Sequence, residues 1–301
     1  MGVESASGKT DDARDPAEAL VLWLGDPQAQ KASRVGNKGA TLGRMYNAGF
    51  NVPAGFCVTV SALSCGRDVY EEAVTEALGK LKPAWVVRSS STAEDSKSLA
   101  FPGLFTTLLD LADVRSALDA IEQVAESVNN SAVRSYAAYH DIAADEIQMA
   151  VLVQTMIPAT AAGVSFSRDP LTGAPDVVIE ANYGLGETVV DGSITPDSVT
   201  VKADGSIAER RTGSKRMKVI ATTLDARVRR IETSPLERSN DVLSDLAAQK
   251  IAQVTRDIEQ YLDVAVDVEW AFVGEELHIL QARPITAVSA PADQTPGSPS
   301  P

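Results

Sequence analysis

The chain has 301 residues, 44% apolar and 23% charged, enough to bury a sizeable core in two lobes of ordinary domain size. Its formal net charge of -14 argues against a nucleic-acid backbone as the main partner, so any anionic ligand must be held by local cations. No apolar run is long enough to span a bilayer, and Met1 to Asp15 is polar and acidic, unlike a signal peptide. The expectation is a cytoplasmic protein with no membrane partner and no nucleic-acid partner.

Residues 1–15 read as disordered, and 290–301, with Pro291, Pro296, Pro299 and Pro301, as a disordered tail or linker. From Ala17 a helix-like run leads to Val35-Gly36-Asn37-Lys38-Gly39-Ala40-Thr41-Leu42-Gly43. Glycines there permit close backbone approach and Lys38 supplies a point charge, as a phosphate site requires. The spacing is not that of a Walker loop, and alone the segment reads better as a helix-start turn with a solvated lysine. Phe50 to Val60 is a turn entering a strand. The two cysteines, Cys57 and Cys65, have neither metal-ligand spacing nor a disulfide framework around them. A strand over 84–88 ends on Arg88, followed by a polar loop through Ser89, Ser90, Ser91, Thr92, Glu94 and Asp95 and a Pro102-Gly103 turn reaching Thr107. Guanidinium, hydroxyl and backbone donors in that order suit anionic oxygens, the ordinary alternative being a flexible polar loop. Helical periodicity covers 114–140. Met149 to Ile157 is an apolar strand stopped by Pro158, expected to connect an N-terminal lobe, 16–155, to a C-terminal lobe, 156–289.

The second lobe alternates short strands, 163–167, 177–180 and 198–202, with turns. An amphipathic helix over about 239–262 interrupts them, with Val242, Leu246, Ile251, Val254, Ile258 and Leu262 on or near one face. Gly163 to Pro170 and Glu180 to Gly192 crowd glycines beside acids, each ambiguous when taken singly. Asp267 to Pro284 reads as a hairpin turning at Gly274-Glu275. Alternation puts Asp267 and Glu269 on one face of the first strand, and Gln281 and Arg283 on one face of the second. Two acids, an amide oxygen and a fixed cation suit a divalent ion carrying a polyphosphate; the ordinary alternative is a charged, solvated edge hairpin. The histidines, His140 and His278, have no nucleophile or carboxylate arranged nearby in sequence, which favours structural roles. Strands mixed with helices in both halves indicate an α+β, two-lobed architecture.

Taken in order, Gly36 to Gly43, Val52 to Phe56, Val87 to Ser90 with Glu94-Asp95, Gly163 to Pro170, Gly184 to Glu187, Asp267 to Trp270 and Gln281 to Pro284 form a collinear set. The set resembles the nucleotide-binding domain of the phosphoenolpyruvate synthase and pyruvate phosphate dikinase family, which includes rifampicin phosphotransferase. The resemblance covers nearly everything between about residue 30 and residue 286. It implies an ATP-grasp-like fold with ATP and Mg²⁺ in the cleft between lobes. By the same resemblance Lys38 and Arg88 contact the phosphates, and the loop at Gly103 and Thr107 closes over them. Gln154, Met156 and Ile157 receive adenine, Glu269 and Gln281 ligate Mg²⁺, Asp267 supports them, and Arg283 stabilises charge on the transferred group. The sequence departs at Asn37, where a second glycine is usual, and at Ala100, where a serine often precedes the Phe-x-Gly turn.

Family members pass phosphate through a histidine on a swivelling domain, in a Thr/Ser-x-His-Ala context that neither His140 nor His278 has. The resemblance therefore implies a phosphotransferase component that hands a phosphoryl group from MgATP to a histidine on a separate domain or partner chain. The products would be AMP and phosphate, and the final small-molecule acceptor is not readable here. Two alternatives stand beside this: a stand-alone ATP-dependent kinase or ligase acting directly on a small acceptor, and a non-catalytic nucleotide-binding regulatory module. Retention of Glu269, Gln281 and Arg283 together argues against the second.

Overall fold

The computed structural model describes residues 19–93, 106–139, 147–222 and 227–285. The expectations placed on Met1 to Asp15, Glu94, Asp95, Ala100, Gly103, His140 and the tail from Ala290 lie outside the described residues. In chain order the first half contains β1 (Val21–Trp23), a 3₁₀ turn (Pro27–Gln30), α1 (Ala32–Asn47), β2 (Gly55–Val58), α2 (Val60–Cys65), α3 (Arg67–Gly79), β3 (Trp85–Ser91), β4 (Thr107–Leu111), α4 (Val114–Glu126), α5 (Ser131–Tyr139) and β5 (Met149–Thr155). The second half contains β6 (Ala161–Phe166), β7 (Val177–Tyr183), α6 (Glu187–Val190), β8 (Asp197–Val201), β9 (Ile207–Arg211), β10 (Met217–Thr222), β11 (Arg227–Glu232), α7 (Pro235–Ser239), α8 (Asp245–Leu262), β12 (Val266–Val273) and β13 (Glu276–Pro284).

The first half forms a five-stranded antiparallel sheet in the order β1-β2-β5-β3-β4, and the second a six-stranded one in the order β13-β12-β6-β7-β8-β9. β10 and β11 form a separate two-stranded ribbon. This is the α+β, two-lobed architecture read from the mixed pattern. β5 lies at the centre of the first sheet because it is apolar on both faces. Val151 and Val153 meet Phe56, Val87 and the helices α3 and α4, while Leu152 turns towards α1 with Cys57.

Several local readings are corrected by tertiary context. The described start of the run from Ala17 is a strand, not a helix, and helix follows only from Pro27: Leu22 pairs with Cys57 as β1 adds to the sheet edge, and sheet pairing overrides local propensity. The polar stretch after Arg88 continues β3 through Ser91, with Ser89, Ser90 and Ser91 buried against β5. Ser90 Oγ donates to Val35 O at 2.6 Å and accepts from Gly39 N at 2.9 Å, so its hydroxyl is fully used inside the protein. The long helix begins at Asp245 rather than near Ser239, capped by Ser244 Oγ, which accepts from Ala247 N at 3.2 Å. Asp197 Oδ2 captures Val242 N at 2.8 Å and holds the preceding segment outside the helix. The buried stripe of α8 is Ala248, Ile251, Ala252, Thr255 and Ile258, while Leu246 points away at 79% exposed. β1, β4, β9 and the β10–β11 ribbon are elements the sequence did not announce.

Among the described residues no helix is long and apolar enough to cross a membrane.

Candidate functional site

Between the sheets lies a cleft of about 670 Å³. Its lining includes Lys38, Arg88, Thr107, Gln154, Met156, Ile157, Glu269, Gln281 and Arg283, side chains from both halves of the chain. Asp267 lies just beneath the lining, paired to Arg283.

Lys38 reaches the cleft because α1 is kinked at Gly36, whose φ of 69° and ψ of 171° break the helical path. A β-carbon at Gly36 would lie 1.9 Å from Ser90 O, so only glycine lets α1 pass β3 this closely. The lysine is 5% exposed and its Nζ donates to Ser89 O at 3.0 Å, which corrects the reading of a solvated side chain. Asn37, the departure from the usual glycine, donates from Nδ2 to Thr92 O at 2.9 Å and ties the helix start to the end of β3.

The hairpin supplies the opposite wall. Glu269 pairs directly across from Gln281, and Asp267 across from Arg283, so both pairs share the cleft face. A bulge follows Glu269, and Trp270 then returns to the core. Arg283 donates from Nε to Asp267 Oδ2 at 2.8 Å, with Nη2 2.7 Å from the same oxygen. Asp267 Oδ1 is buried without a partner, and burial pushes this carboxyl above its ordinary range despite the Arg283 charge. Arg88 crosses from β3 to this wall. Its Nη1 donates to Leu280 O at 2.7 Å, and its Nη2 to both Gln281 Oε1 at 2.7 Å and Glu269 Oε2 at 3.0 Å.

The far end of the cleft is apolar. Met156, Leu185 and Val219 are buried together, with Leu109, Ala159 and Val228 packed on them. Gln154 Nε2 is committed to Pro53 O at 3.0 Å and Met156 N to Ala84 O at 2.8 Å, so both residues are fixed before any ligand arrives. Thr107, opposite Arg88 across β3 and β4, sits at the rim.

The sequence reading missed three groups. Glu180 stands in one cross-strand row with Val164 and Glu269, and its carboxyl is raised by burial and then by the Asp267 charge. Glu187, inside a glycine segment noted in sequence but given no role, lines the cleft with its carboxyl raised by burial and by Asp191. Arg230 on the ribbon also lines it, donating from Nη2 to Ser193 Oγ with Asp191 Oδ2 3.5 Å away. Nothing local marked Arg230, because its place depends on the ribbon docking through Leu185 N to Val219 O at 2.7 Å. By contrast Arg168 and Asp169 lead away from the cleft: Arg168 pairs with Glu259, and Asp169 Oδ1 accepts from Leu171 N and Thr172 N in a turn.

The donor set suits a hard cation. Glu269 and Gln281 offer oxygens on neighbouring strands, and Asp267, paired to Arg283 through Oδ2, keeps Oδ1 buried without a donor. Among the described residues no group of three or more His, Cys, Asp or Glu side chains could hold a metal alone, so phosphate or water oxygens would have to complete the shell.

Comparison with known proteins gives a family and full-length relatives. The family described as "Pyruvate phosphate dikinase, AMP/ATP-binding domain" matches residues 67–298. A probable phosphoenolpyruvate synthase of Methanothermobacter thermautotrophicus is 30% identical over 309 residues, covering 86% of this chain and 45% of the relative. A rifampicin phosphotransferase of Streptomyces sviceus is 30% identical over 316 residues, covering 90% of this chain and 36% of the relative. The chain thus spans less than half the length of these curated relatives. Among solved structures, a D-alanine–D-alanine ligase from Bacillus anthracis aligns over 82% of this chain and 55% of its own, at a TM-score of 0.40 and 10% identity.

Proposed function

Because this chain belongs to the pyruvate phosphate dikinase AMP/ATP-binding domain family, we propose that it binds ATP with Mg²⁺ and is the nucleotide half of an ATP-dependent phosphotransferase. The acceptor is a histidine on a separate swivelling domain or partner chain, and the nucleotide products are AMP and phosphate. The observation that carries this reading is the convergence of Lys38, Arg88, Glu269, Gln281 and Arg283, from both lobes, on one cleft whose other end is apolar. Neither end alone would distinguish a nucleotide from a simple anion. Together they fit a base at Met156 and Ile157 and a polyphosphate at the cations.

Phosphoryl transfer is mainly positioning and charge neutralisation. Lys38, held between α1 and β3, and Arg88 position the phosphates. Glu269 and Gln281 would hold Mg²⁺, which when bound offsets phosphate charge. Asp267 fixes Arg283 in a two-pronged pair, so that its guanidinium faces the transferred group without having to be ordered during the reaction. By the family resemblance Gly103 and Thr107 belong to the phosphate end of the site, and Gln154 shapes the strand exit beneath the base. The two lobes are taken as 16–155 and 156–289, as the sequence divides them. With AMP and phosphate as products, the bond between the α- and β-phosphorus breaks and the β-phosphoryl group passes to the histidine nitrogen. Water cleaves the β–γ link to release phosphate, which balances the reaction.

Phosphorus NMR of the chain with MgATP, alone and then with a histidine-bearing domain or source extract, tests this. AMP and phosphate should form only with the acceptor present. ADP formed with a small-molecule fraction alone would replace this reading by a direct kinase. Glu269→Ala and Arg88→Ala should each abolish turnover with cooperative unfolding retained, and unchanged turnover in either would refute the site.

A further inference from the structure

Arg88 belongs to the first sheet, yet its hydrogen bonds run across the cleft to the second: to Leu280 O, Gln281 Oε1 and Glu269 Oε2. The two side-chain oxygens sharing its Nη2 are the pair expected to ligate the ion. A magnesium ion binds oxygen at about 2.1 Å, so an ion taking both oxygens would compete with the nitrogen that now holds both. Guanidinium and ion therefore compete here for the same two oxygens and repel each other as like charges.

Two other atoms show what this arrangement lacks. Arg88 Nε is buried with no acceptor, and Asp267 Oδ1 is buried with no donor. Both charges are otherwise paired, Arg88 to Glu269 and Asp267 to Arg283, so what is open is one N–H and one carboxylate oxygen, which an anionic oxygen and a cation respectively would fill. Arg88 is only 12% exposed, so water does not readily supply the missing contact.

Resting on the nucleotide reading above, we propose that Arg88 is a placeholder for the metal ion: without nucleotide its guanidinium sits between Glu269 and Gln281, so the chain accepts metal and nucleotide only as a complex. Free Mg²⁺ meets a cation already in position. Metal-free ATP meets the carboxylates of Glu269, Asp267 and Glu180 on one sheet face. The complex resolves both conflicts, because phosphate oxygens give Arg88 new acceptors, its Nε included, while the ion takes the two oxygens that Arg88 releases. Metal and nucleotide then strengthen each other's binding reciprocally. The same movement replaces the direct Arg88 bridge between the sheets by one running through the ligand.

The test is Mn²⁺ binding to the whole chain without nucleotide, followed by the electron paramagnetic resonance signal of the free ion. Wild type, Arg88→Met, and Arg88→Met with Glu269→Gln are compared. In parallel, Mn²⁺ with a non-hydrolysable ATP analogue is titrated into the wild type and Glu269→Gln. The wild type should show no Glu269-dependent site for the bare ion, Arg88→Met should gain one at least about tenfold tighter, and the double variant should lose it. Equal Glu269-dependent binding in wild type and Arg88→Met overturns the proposal. So does a folded Arg88→Met that gains no site while the metal–analogue complex still binds through Glu269, an outcome that leaves the nucleotide reading standing. Analogue binding indifferent to Glu269 overturns both. The wild type alone supplies a second reading that needs no variant to fold: the Arg88 guanidinium resonances in ¹⁵N NMR should shift with Mg²⁺ plus analogue and not with Mg²⁺ alone. A shift with Mg²⁺ alone overturns the placeholder.

Discussion

Glu180 sits on the cleft face of β7 in one cross-strand row with Glu269, and its carboxyl titrates above the ordinary range because of burial and then Asp267. A carboxyl whose folded-state pKa exceeds its unfolded value contributes stability that is fully present below the unfolded pKa and is lost as pH rises through the folded one. At pH 7 its charge therefore opposes folding of the ligand-free chain. Glu180→Gln should stabilise the protein in urea unfolding at pH 7 by up to about 1 kcal/mol. The gain should shrink as pH falls towards the unfolded carboxyl range; a gain constant with pH would mean that ionisation is not the cause. Gly36→Ala tests the other wall. With φ of 69° and Ser90 O 1.9 Å from the new β-carbon, α1 must shift from β3. A loss of about 2–4 kcal/mol in thermal unfolding is expected, with nucleotide affinity reduced because Lys38 moves too. At this scale the hairpin set was half legible: alternation puts Asp267 with Glu269 and Gln281 with Arg283, but unbroken pairing from Gly274 would set Glu269 against Leu280, and only the bulge after Glu269 brings both pairs to one face. The burial of Lys38 and the placing of Glu180 were not legible, because each depends on which strand packs beside it.

Lys215 and Asp197 tie the ribbon to the second sheet. Lys215 is fully buried, with Nζ 2.5 Å from Asp197 Oδ1 and bonded to Gly213 O and Arg238 O, while Asp197 also accepts from Gly213 N and Val242 N. One carboxylate thus joins β8, the strand leading into β10 and the segment before α8. Asp197→Asn leaves the ammonium buried without its counter-charge and should cost about 3–5 kcal/mol in urea unfolding. Limited proteolysis should then cut first between Gly213 and Glu232, whereas cleavage elsewhere would mean that the pair does not anchor this element. Loss of the ribbon removes Val219 and Val228 from the apolar end of the cleft, so base affinity should fall alongside. The ribbon escaped the sequence reading for a plain reason. In β11 the apolar Val228 and Ile231 are three residues apart among arginines, which is neither a strand's alternation nor a sustained helical stripe. Its pairing with β10 and the buried ion pair at its root make it a strand, and Thr195-Pro196-Asp197 alone gives no hint of Lys215.

The lobes are two sheets with a shared core. Leu42 and Met45 of α1 and Leu152 of β5 belong to the same buried cluster as Ile179, Ile251, Trp270 and Ile279. On that side Ile279 N donates to Asn51 O and Asn51 Nδ2 to Leu277 O, both at 2.9 Å, and the Phe50 and Tyr261 rings meet edge to face at 5.8 Å. On the other side Leu109 and Val228 meet across the cleft as part of its apolar end. Neither sheet can therefore lose its packing on this shared cluster while the other keeps it. Calorimetry of the ligand-free chain should show one cooperative transition in which both sheets melt together. Two transitions would mean that the lobes are separate folding units and that the shared cluster contributes little. On the proposed reading Mg²⁺ with an ATP analogue would touch both walls of the cleft, and a ligand that binds only the folded form stabilises it by about 2.7 kcal/mol at a hundred times its dissociation constant. That increment should move the whole transition upward without splitting it. If only part of the melting shifted, the ligand would be seated on one lobe, and convergence of Lys38 and Arg88 with Glu269, Gln281 and Arg283 on a single ligand would be wrong even if ATP were bound.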